Sequence, residues 1–238
     1  MKILLHILRA LRHRLRKVLG REPSFHLDMK ITSVELGESG ASWRLSLEEL
    51  SADSVVYSVG VGTDISFDRA LIAATSATVH AFDPTPRSTS WIKKQSLPAR
   101  FSFQPVGLYD HDGDLSFFAP PDPDHVSFSI TGSGREARAV GLKVQRLATL
   151  MRECGHLHVD VLKMDIEGSE YAVIDDIVKS AYSIGQLLIE FHHWMPGFSV
   201  QQTENAVKAL RGAGYRLFAI SDTGHEFSFI HRNAVVPS

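Results

Sequence analysis

The chain has a single cysteine, Cys154, in 238 residues. No internal disulfide can form, which excludes a small disulfide-stapled scaffold. Four thiolate ligands are equally out of reach, so a cysteine-rich zinc finger is excluded too. Long apolar runs are also missing. No stretch approaches the ~18 uncharged apolar residues of a membrane-spanning helix. The run from Ile3 to Leu8 is interrupted by His6 and followed by a dense basic segment without an A-x-A site, so a signal peptide is not expected. Neither sign of charge dominates, with a net charge of −2. Hydrophobic residues at 44% and charged residues at 22% are ordinary globular values and exclude wholesale disorder, collagen-like repeats and coiled coil. The length suits one large domain, or a domain with an appendage, at ~150 residues per domain. It is enough to bury a core without staples.

The charge is unevenly spread. Residues 1–22 hold seven Lys or Arg and one acid, a local charge of +6 that leaves −8 on the remainder. A mildly acidic body argues against a nucleic-acid partner. Leu4, Leu8, Leu11, Leu15 and Val18 recur at helical spacing, which predicts a basic amphipathic helix over 2–19, stopped by Gly20 and Pro23. Such a helix lies on an anionic membrane surface or docks its leucine stripe on protein. The expected location is cytoplasmic, with the inner membrane surface as the variant that this helix would supply.

Residues 23–50 read as an N-terminal extension with short strands around Gly37-Glu-Ser-Gly40. From 51 to 238 the pattern is α/β. Strands are expected at Ser54–Val59, Thr78–Phe82, Arg100–Val106, Val159–Met164 and Gln186–Glu190. Helices are expected after Gly62 and at about Ser88–Gln95, Glu167–Val178 and Thr203–Arg211. This alternation predicts a parallel sheet covered on both faces. Tyr215–Ile220 and Glu226–His231 should close it as an antiparallel hairpin. Residues 109–138, in which 11 of 30 are Asp, Gly or Pro, form an insertion with a hairpin at Leu115–Ala119, a loop at Pro120–Asp124 and a strand at Val126–Ile130.

Ligands of an open α/β sheet bind beyond the carboxyl ends of its strands. After the first strand stands Ser58-Val-Gly60-Val-Gly62-Thr-Asp64, whose glycines let the backbone pass close to a ligand. After the second, 21 residues beyond Gly62, stands Asp83, placed to accept two ribose hydroxyls. A dinucleotide fingerprint needs a third glycine where Ile65 stands, and Asp64 is a poor neighbour for a pyrophosphate. Asp64 suits a ligand with a positive or amino group. S-adenosyl-L-methionine carries both, with a ribose. Asp165, Glu167 and Glu170 follow a later strand, although acids at a helix start also suit the helix dipole. Glu190-Phe-His192-His193-Trp194 follows the next. Two adjacent histidines cannot both face inward. Histidine is a usable base near neutrality, and His192 is taken as that base, with His193 pointing away.

Leu162-Lys-Met-Asp-Ile-Glu-Gly-Ser-Glu170 is similar to the L-K-[IM]-D-[IV]-E-G-x-E motif of the FkbM-like methyltransferases. Val56-Tyr-Ser-Val-Gly-Val-Gly-Thr-Asp-Ile-Ser-Phe-Asp68 and His80-Ala-Phe-Asp-Pro-Thr-Pro86 resemble the first two motifs of a subgroup of that family. The resemblance spans about residues 43–232. It implies the Rossmann-like class I methyltransferase fold, a mostly parallel seven-stranded sheet with a C-terminal antiparallel hairpin. It further implies S-adenosyl-L-methionine as donor and a hydroxyl acceptor on a sugar, lipid or natural-product-like molecule. By the same resemblance Ser58, Gly60, Gly62 and Asp64 approach the donor's methionine part, and Asp83 holds its ribose. Leu108 borders the adenine, and Asp165 lies near the methyl group. Asp165, Glu167 and His192 form the expected catalytic set.

No metal is called for. Asp165, Glu167, Glu190 and His192 have suitable ligand atoms, but the same set serves equally as a hydrogen-bonding site. Three other readings compete. A nicotinamide oxidoreductase is disfavoured by Ile65. A glycosyltransferase would use Asp122-Pro-Asp124-His125, which lacks a strand context. A membrane-surface module with a vestigial donor pocket would bind donor without transferring methyl. Asp110-His-Asp-Gly-Asp114 fails as a calcium loop for want of a glycine at its sixth position.

Overall fold

The structure is a computed structural model, described for residues 23–118 and 139–234. The amphipathic helix expected over 2–19, the loop and strand expected within 120–130, and Asp122, Asp124 and His125 lie outside the described residues.

The first buried strand forms where β-branched residues crowd together, and it is the centre of the fold. This strand, β3 (Val55–Val59), follows a small hairpin of β1 (Val34–Leu36) and β2 (Trp43–Leu45). Then come α1 (Ser66–Thr75), β4 (Thr78–Phe82), α2 (Pro86–Ile92) and β5 (Phe101–Gln104). The second half runs through β6 (Gly107–Leu108), β7 (Gly113–Phe118), β8 (Ala139–Gln145) and α3 (Leu147–Cys154). It ends with β9 (Val159–Met164), α4 (Glu170–Ser180), β10 (Ile184–Glu190), α5 (Val200–Gly212), β11 (Tyr215–Ile220) and β12 (Glu226–His231).

The main sheet has seven strands in the order β11-β12-β10-β9-β3-β4-β5. All neighbours are parallel except those of β12, which runs antiparallel to β10 and β11. This is the expected class I methyltransferase arrangement, closed by the expected hairpin. Chain order reverses between β3 and β9, so a crevice opens at their carboxyl ends.

Alternation along each strand feeds two cores. On one face Tyr57, Val59, Leu162 and Met164 pack against Leu150 of α3, Ile174 of α4 and Val207 of α5. On the other, Val56, Val79 and Val161 pack against Phe67 and Leu71 of α1 and against Trp43 and Leu45 of β2. Residues 23–50 are therefore tied into the domain. Gln186, buried in β10, brackets Ser46 of that segment. Its Nε2 donates to Ser46 O, and Ser46 N–H donates to its Oε1, both at 2.9 Å.

Some boundaries differ from the sequence expectation. The helix expected from Glu167 starts at Glu170, because Glu167 (φ 50°) and Gly168 (φ 100°) both sit in the left-handed region. Leu115–Phe118, from the expected hairpin at Leu115–Ala119, do not turn back on themselves but belong to β7, which pairs antiparallel with β8 in a separate three-stranded sheet, and Ala119 lies outside the described residues. β8 and α3 are not among the expected elements, although Val140, Leu142 and Val144 alternate as a strand should.

Gln186→Ala would orphan two buried backbone groups, at ~1–3 kcal/mol each. Urea melts should show a loss of roughly 2–6 kcal/mol. A loss within experimental error would mean that the β1–β2 segment is not anchored through this contact.

Candidate functional site

A cavity of about 300 Å³ opens at the carboxyl ends of β3, β4 and β9. Its floor is the turn after β3. Gly60 (φ 81°) is required there by contact as much as by conformation, because a Cβ would lie 1.7 Å from Asp165 O. The absence of that Cβ lets the loops after β3 and β9 touch. Gly62 (φ 55°) has open space around the corresponding position. Its N–H donates to Asp83 Oδ2 at 2.9 Å. The other oxygen of Asp83 accepts from Thr85 N at 2.8 Å and from Thr85 Oγ1 at 2.6 Å. One carboxylate thus sets the spacing of the first two loops.

Gly60, Gly62, Asp64, Asp83, Leu108, Asp165 and Glu167 all line this cavity. Two expected residues do not. Ser58 is buried beneath it, and its Oγ has no hydrogen-bond partner among the described residues. His192 is 1% exposed and stands behind the carboxylates. Asp64 is exposed, and its Oδ1 accepts from Ser66 N at the start of α1.

The cavity has two charged ends. At one, Lys163 leaves the apolar face of β9 and donates to Gly60 O at 2.6 Å, with its ammonium 5.3 Å from the Trp43 ring centre. Asp68, one helical turn beyond Asp64, is buried beside it and lines the cavity. Burial pushes the Asp68 carboxyl up, against the charge of Lys163. Asp68 Oδ1 has no hydrogen-bond partner among the described residues.

At the other end Asp165, Glu167, Glu190 and Glu226 face the cavity. Glu190 and Glu226 are direct cross-strand partners on β10 and β12, an unfavourable position for like charges. Burial, then the charge of Asp165, raises the Glu190 carboxyl. His192 Nδ1 lies 3.2 Å from Oε1 of the fully buried Glu170. Its Nε2 faces Glu167 at 3.5 Å, Asp165 at 3.7 Å and Glu190 at 3.9 Å. Burial alone would lower the His192 pKa. The hydrogen bond and charge of Glu170, with Glu167 and Asp165, outweigh it and raise the value to about 10. These acids favour the protonated ring, and because the side chain stands behind the carboxylates and not in the cavity wall, it does not present its nitrogen to an acceptor as the expected base should. His193 turns to the opposite side, as expected. Its Nδ1 lies 3.4 Å from Thr203 Oγ1, and its ring meets His225 edge-on.

Comparison with known proteins matches residues 48–217 to the Methyltransferase FkbM domain. The chain belongs to the FkbM methyltransferase family. This FkbM-family chain is 29% identical over 174 residues to the probable methyltransferase-like protein 24 of Rattus norvegicus, which covers 68% of this chain and 42% of that protein. It is 28% identical over 153 residues to the hexuronic acid methyltransferase AglP of Haloferax volcanii, covering 63% of this chain and 60% of that protein. It therefore spans less than two thirds of either relative. Among solved structures, the methyltransferase FkbM of Methylobacillus flagellatus KT superposes at a TM-score of 0.49 and 14% identity, over 76% of this chain and 44% of that one.

Sequence reasoning missed several residues of this FkbM-family site. Lys163 and Asp68 are absent from the expected set, although an ionisable residue inside an apolar strand is itself a signal. Glu226 carries no local motif. Gly40 to Trp43 also reach the cavity, so the extension forms part of its wall.

Gly60→Ala should cost more than ~2 kcal/mol in urea melts, since it drives a methyl group into backbone. Gly62→Ala should cost only ~1 kcal/mol, the left-handed penalty alone. Equal losses would show that the Gly60–Asp165 contact does not hold these loops.

Proposed function

We propose that this chain transfers a methyl group from S-adenosyl-L-methionine to a hydroxyl oxygen of a small-molecule or glycan acceptor. The observation that carries the reading is one cavity at the β3/β9 crevice with Asp83 on one wall and Asp165 on another. The residues present suit this donor. Asp68 and the adjacent Asp64 offer carboxyl acceptors for its amino group, and Asp83 offers one for its ribose hydroxyls. Gly107, Leu108, Pro84 and Thr85 border the space left for the adenine. Ile65, buried where a dinucleotide fold needs its third glycine, speaks against the nicotinamide alternative.

Methyl transfer from a sulfonium is an in-line displacement, so positioning supplies much of the catalysis, up to ~7–11 kcal/mol. The acceptor is oriented by Asp165 and Glu167. Its proton passes to a carboxylate that reaches the cavity, Asp165 or Glu190, while His192 holds these carboxylates in place. Trp194, half exposed and stacked on His225 beside His192, offers a flat apolar face for a sugar ring. The methyltransferase names of the relatives, one of them acting on a hexuronic acid, support the same reading.

Asp83→Asn should weaken S-adenosylhomocysteine binding ~10–100-fold by calorimetry, a loss of ~1.5–3 kcal/mol. Asp165→Asn should cut turnover at least ~100-fold while donor affinity stays within a few-fold. His193→Ala should change turnover little. Unchanged donor affinity in Asp83→Asn would remove the ribose assignment, and full turnover in Asp165→Asn the acceptor assignment.

The charge of residues 1–22 supports a second part of the proposal, attachment to an anionic membrane surface without a nucleic-acid partner. Among the described residues no helix is long and apolar enough to cross a membrane. The full chain should float with anionic vesicles at low salt and release as salt is added. Flotation that ignores salt would contradict an electrostatic attachment.

A further inference from the structure

We propose that Asp165, Glu190 and His192 form a binding site for a divalent cation of the manganese or magnesium type, with Glu170 orienting the imidazole from behind. The inference deepens the acceptor end of the proposed function and rests on that reading for its chemical role, but the binding itself stands on geometry.

One ligand atom from each of the three residues lies within 4.8 Å of the others. The Nε2 distances of 3.7 Å to Asp165 and 3.9 Å to Glu190 exceed those of hydrogen bonds. They fall between the ~3 Å of adjacent and the ~4.2 Å of opposite ligands around an octahedral ion with bonds of ~2.1 Å. The His192 side chain is 98% buried, yet its Nε2 points at carboxylates none of which is closer than 3.5 Å. Its other nitrogen is held by Glu170, the carboxylate–histidine arrangement that fixes a metal-binding imidazole. Glu170 itself is set by Gly168 N at 2.8 Å and His192 N at 2.9 Å.

The charge balance points the same way. Glu226 directly opposite Glu190 adds a further carboxylate to this end. Among the described residues lining the cavity the one Lys or Arg is Lys163, and its ammonium is committed to Gly60 O and the Trp43 ring. Two carboxylates with one imidazole suit a hard or borderline ion better than a thiolate-seeking one. Such an ion, when bound, makes a coordinated hydroxyl more acidic. The carboxylates also repel an anionic acceptor, and a cation removes that obstacle.

The test is a titration of chelator-treated full-length chain with Mn²⁺, following the loss of the free-ion paramagnetic resonance signal. One site is expected, displaced by excess Mg²⁺. His192→Gln, Glu190→Gln and Asp165→Asn should each weaken it at least ~10-fold, and Glu170→Gln ~10–100-fold. Asp114→Asn, an exposed acid outside the cavity, should leave it unchanged. Circular dichroism establishes that each variant is folded. Asp165, a third exposed, is the substitution that least threatens the core. Absence of a stoichiometric site, or wild-type Mn²⁺ affinity in folded Asp165→Asn and Glu190→Gln, would overturn the proposal. Calorimetry with S-adenosylhomocysteine on the same samples separates the two readings. Donor binding without Mn²⁺ binding removes the cation alone, and Mn²⁺ binding without donor binding removes the methyltransferase reading alone.

Discussion

Glu170 is a carboxylate with no exposed surface, and its three hydrogen bonds reach two different loops. One oxygen holds Gly168 in the turn after β9. The other holds the backbone and ring of His192 in the turn after β10. A buried charge is tolerated only when its lone pairs are satisfied in this way. The consequence is a rigid junction at the carboxyl ends of two neighbouring strands. It places Glu167 in a left-handed conformation, an uncommon one for a residue with a side chain. It also leaves no room for a side chain at 168, because Phe198 fills that space and stacks on Tyr171. Gly60 repeats the logic on the other flank, where backbone meets backbone at Asp165.

The cavity that these contacts define is chemically divided. Its Asp64 and Asp68 end offers carboxyl acceptors and suits an amino group. Its Asp165 and Glu190 end is acidic and suits hydroxyls, or a cation. Asp83 lies between, spacing the first two loops through Gly62 and Thr85. A donor with an amino acid at one extremity, a ribose in the middle and a reactive sulfonium fits this division. A pyrophosphate would meet Asp64 and a buried Ile65 at the position where it needs bare backbone.

Much of this was legible in the residues. The apolar runs at Val55–Val59, Thr78–Phe82 and Val159–Met164 announce buried strands, and the residue after each strand names Gly60, Asp83 and Asp165. Local pattern carries less about direction and partners. That His192 faces inward and His193 away follows from the pleat and from Glu170. That His192 lies against Asp165, Glu167 and Glu170 depends on the neighbouring turn after β9, brought beside it by the pairing of β9 with β10. Lys163 and Asp68 converge only through the pairing of β9 with β3 and the packing of α1. The helix start at Glu170 hides behind two left-handed residues, one of which is not glycine. The small sheet of β7 and β8 pairs residues across a long separation, which short-range periodicity does not reveal.

The central claim is that the β3/β9 crevice holds the donor between Asp68 and Asp165 with its ribose on Asp83. A crystal structure of the full chain grown with S-adenosylhomocysteine tests it most directly. The account predicts the ribose hydroxyls on the Asp83 carboxylate, the amino group toward Asp68 and Asp64, and the sulfur facing Asp165. A ligand bound elsewhere, or one turned so that its ribose leaves Asp83 and its sulfur points away from Asp165, would contradict it.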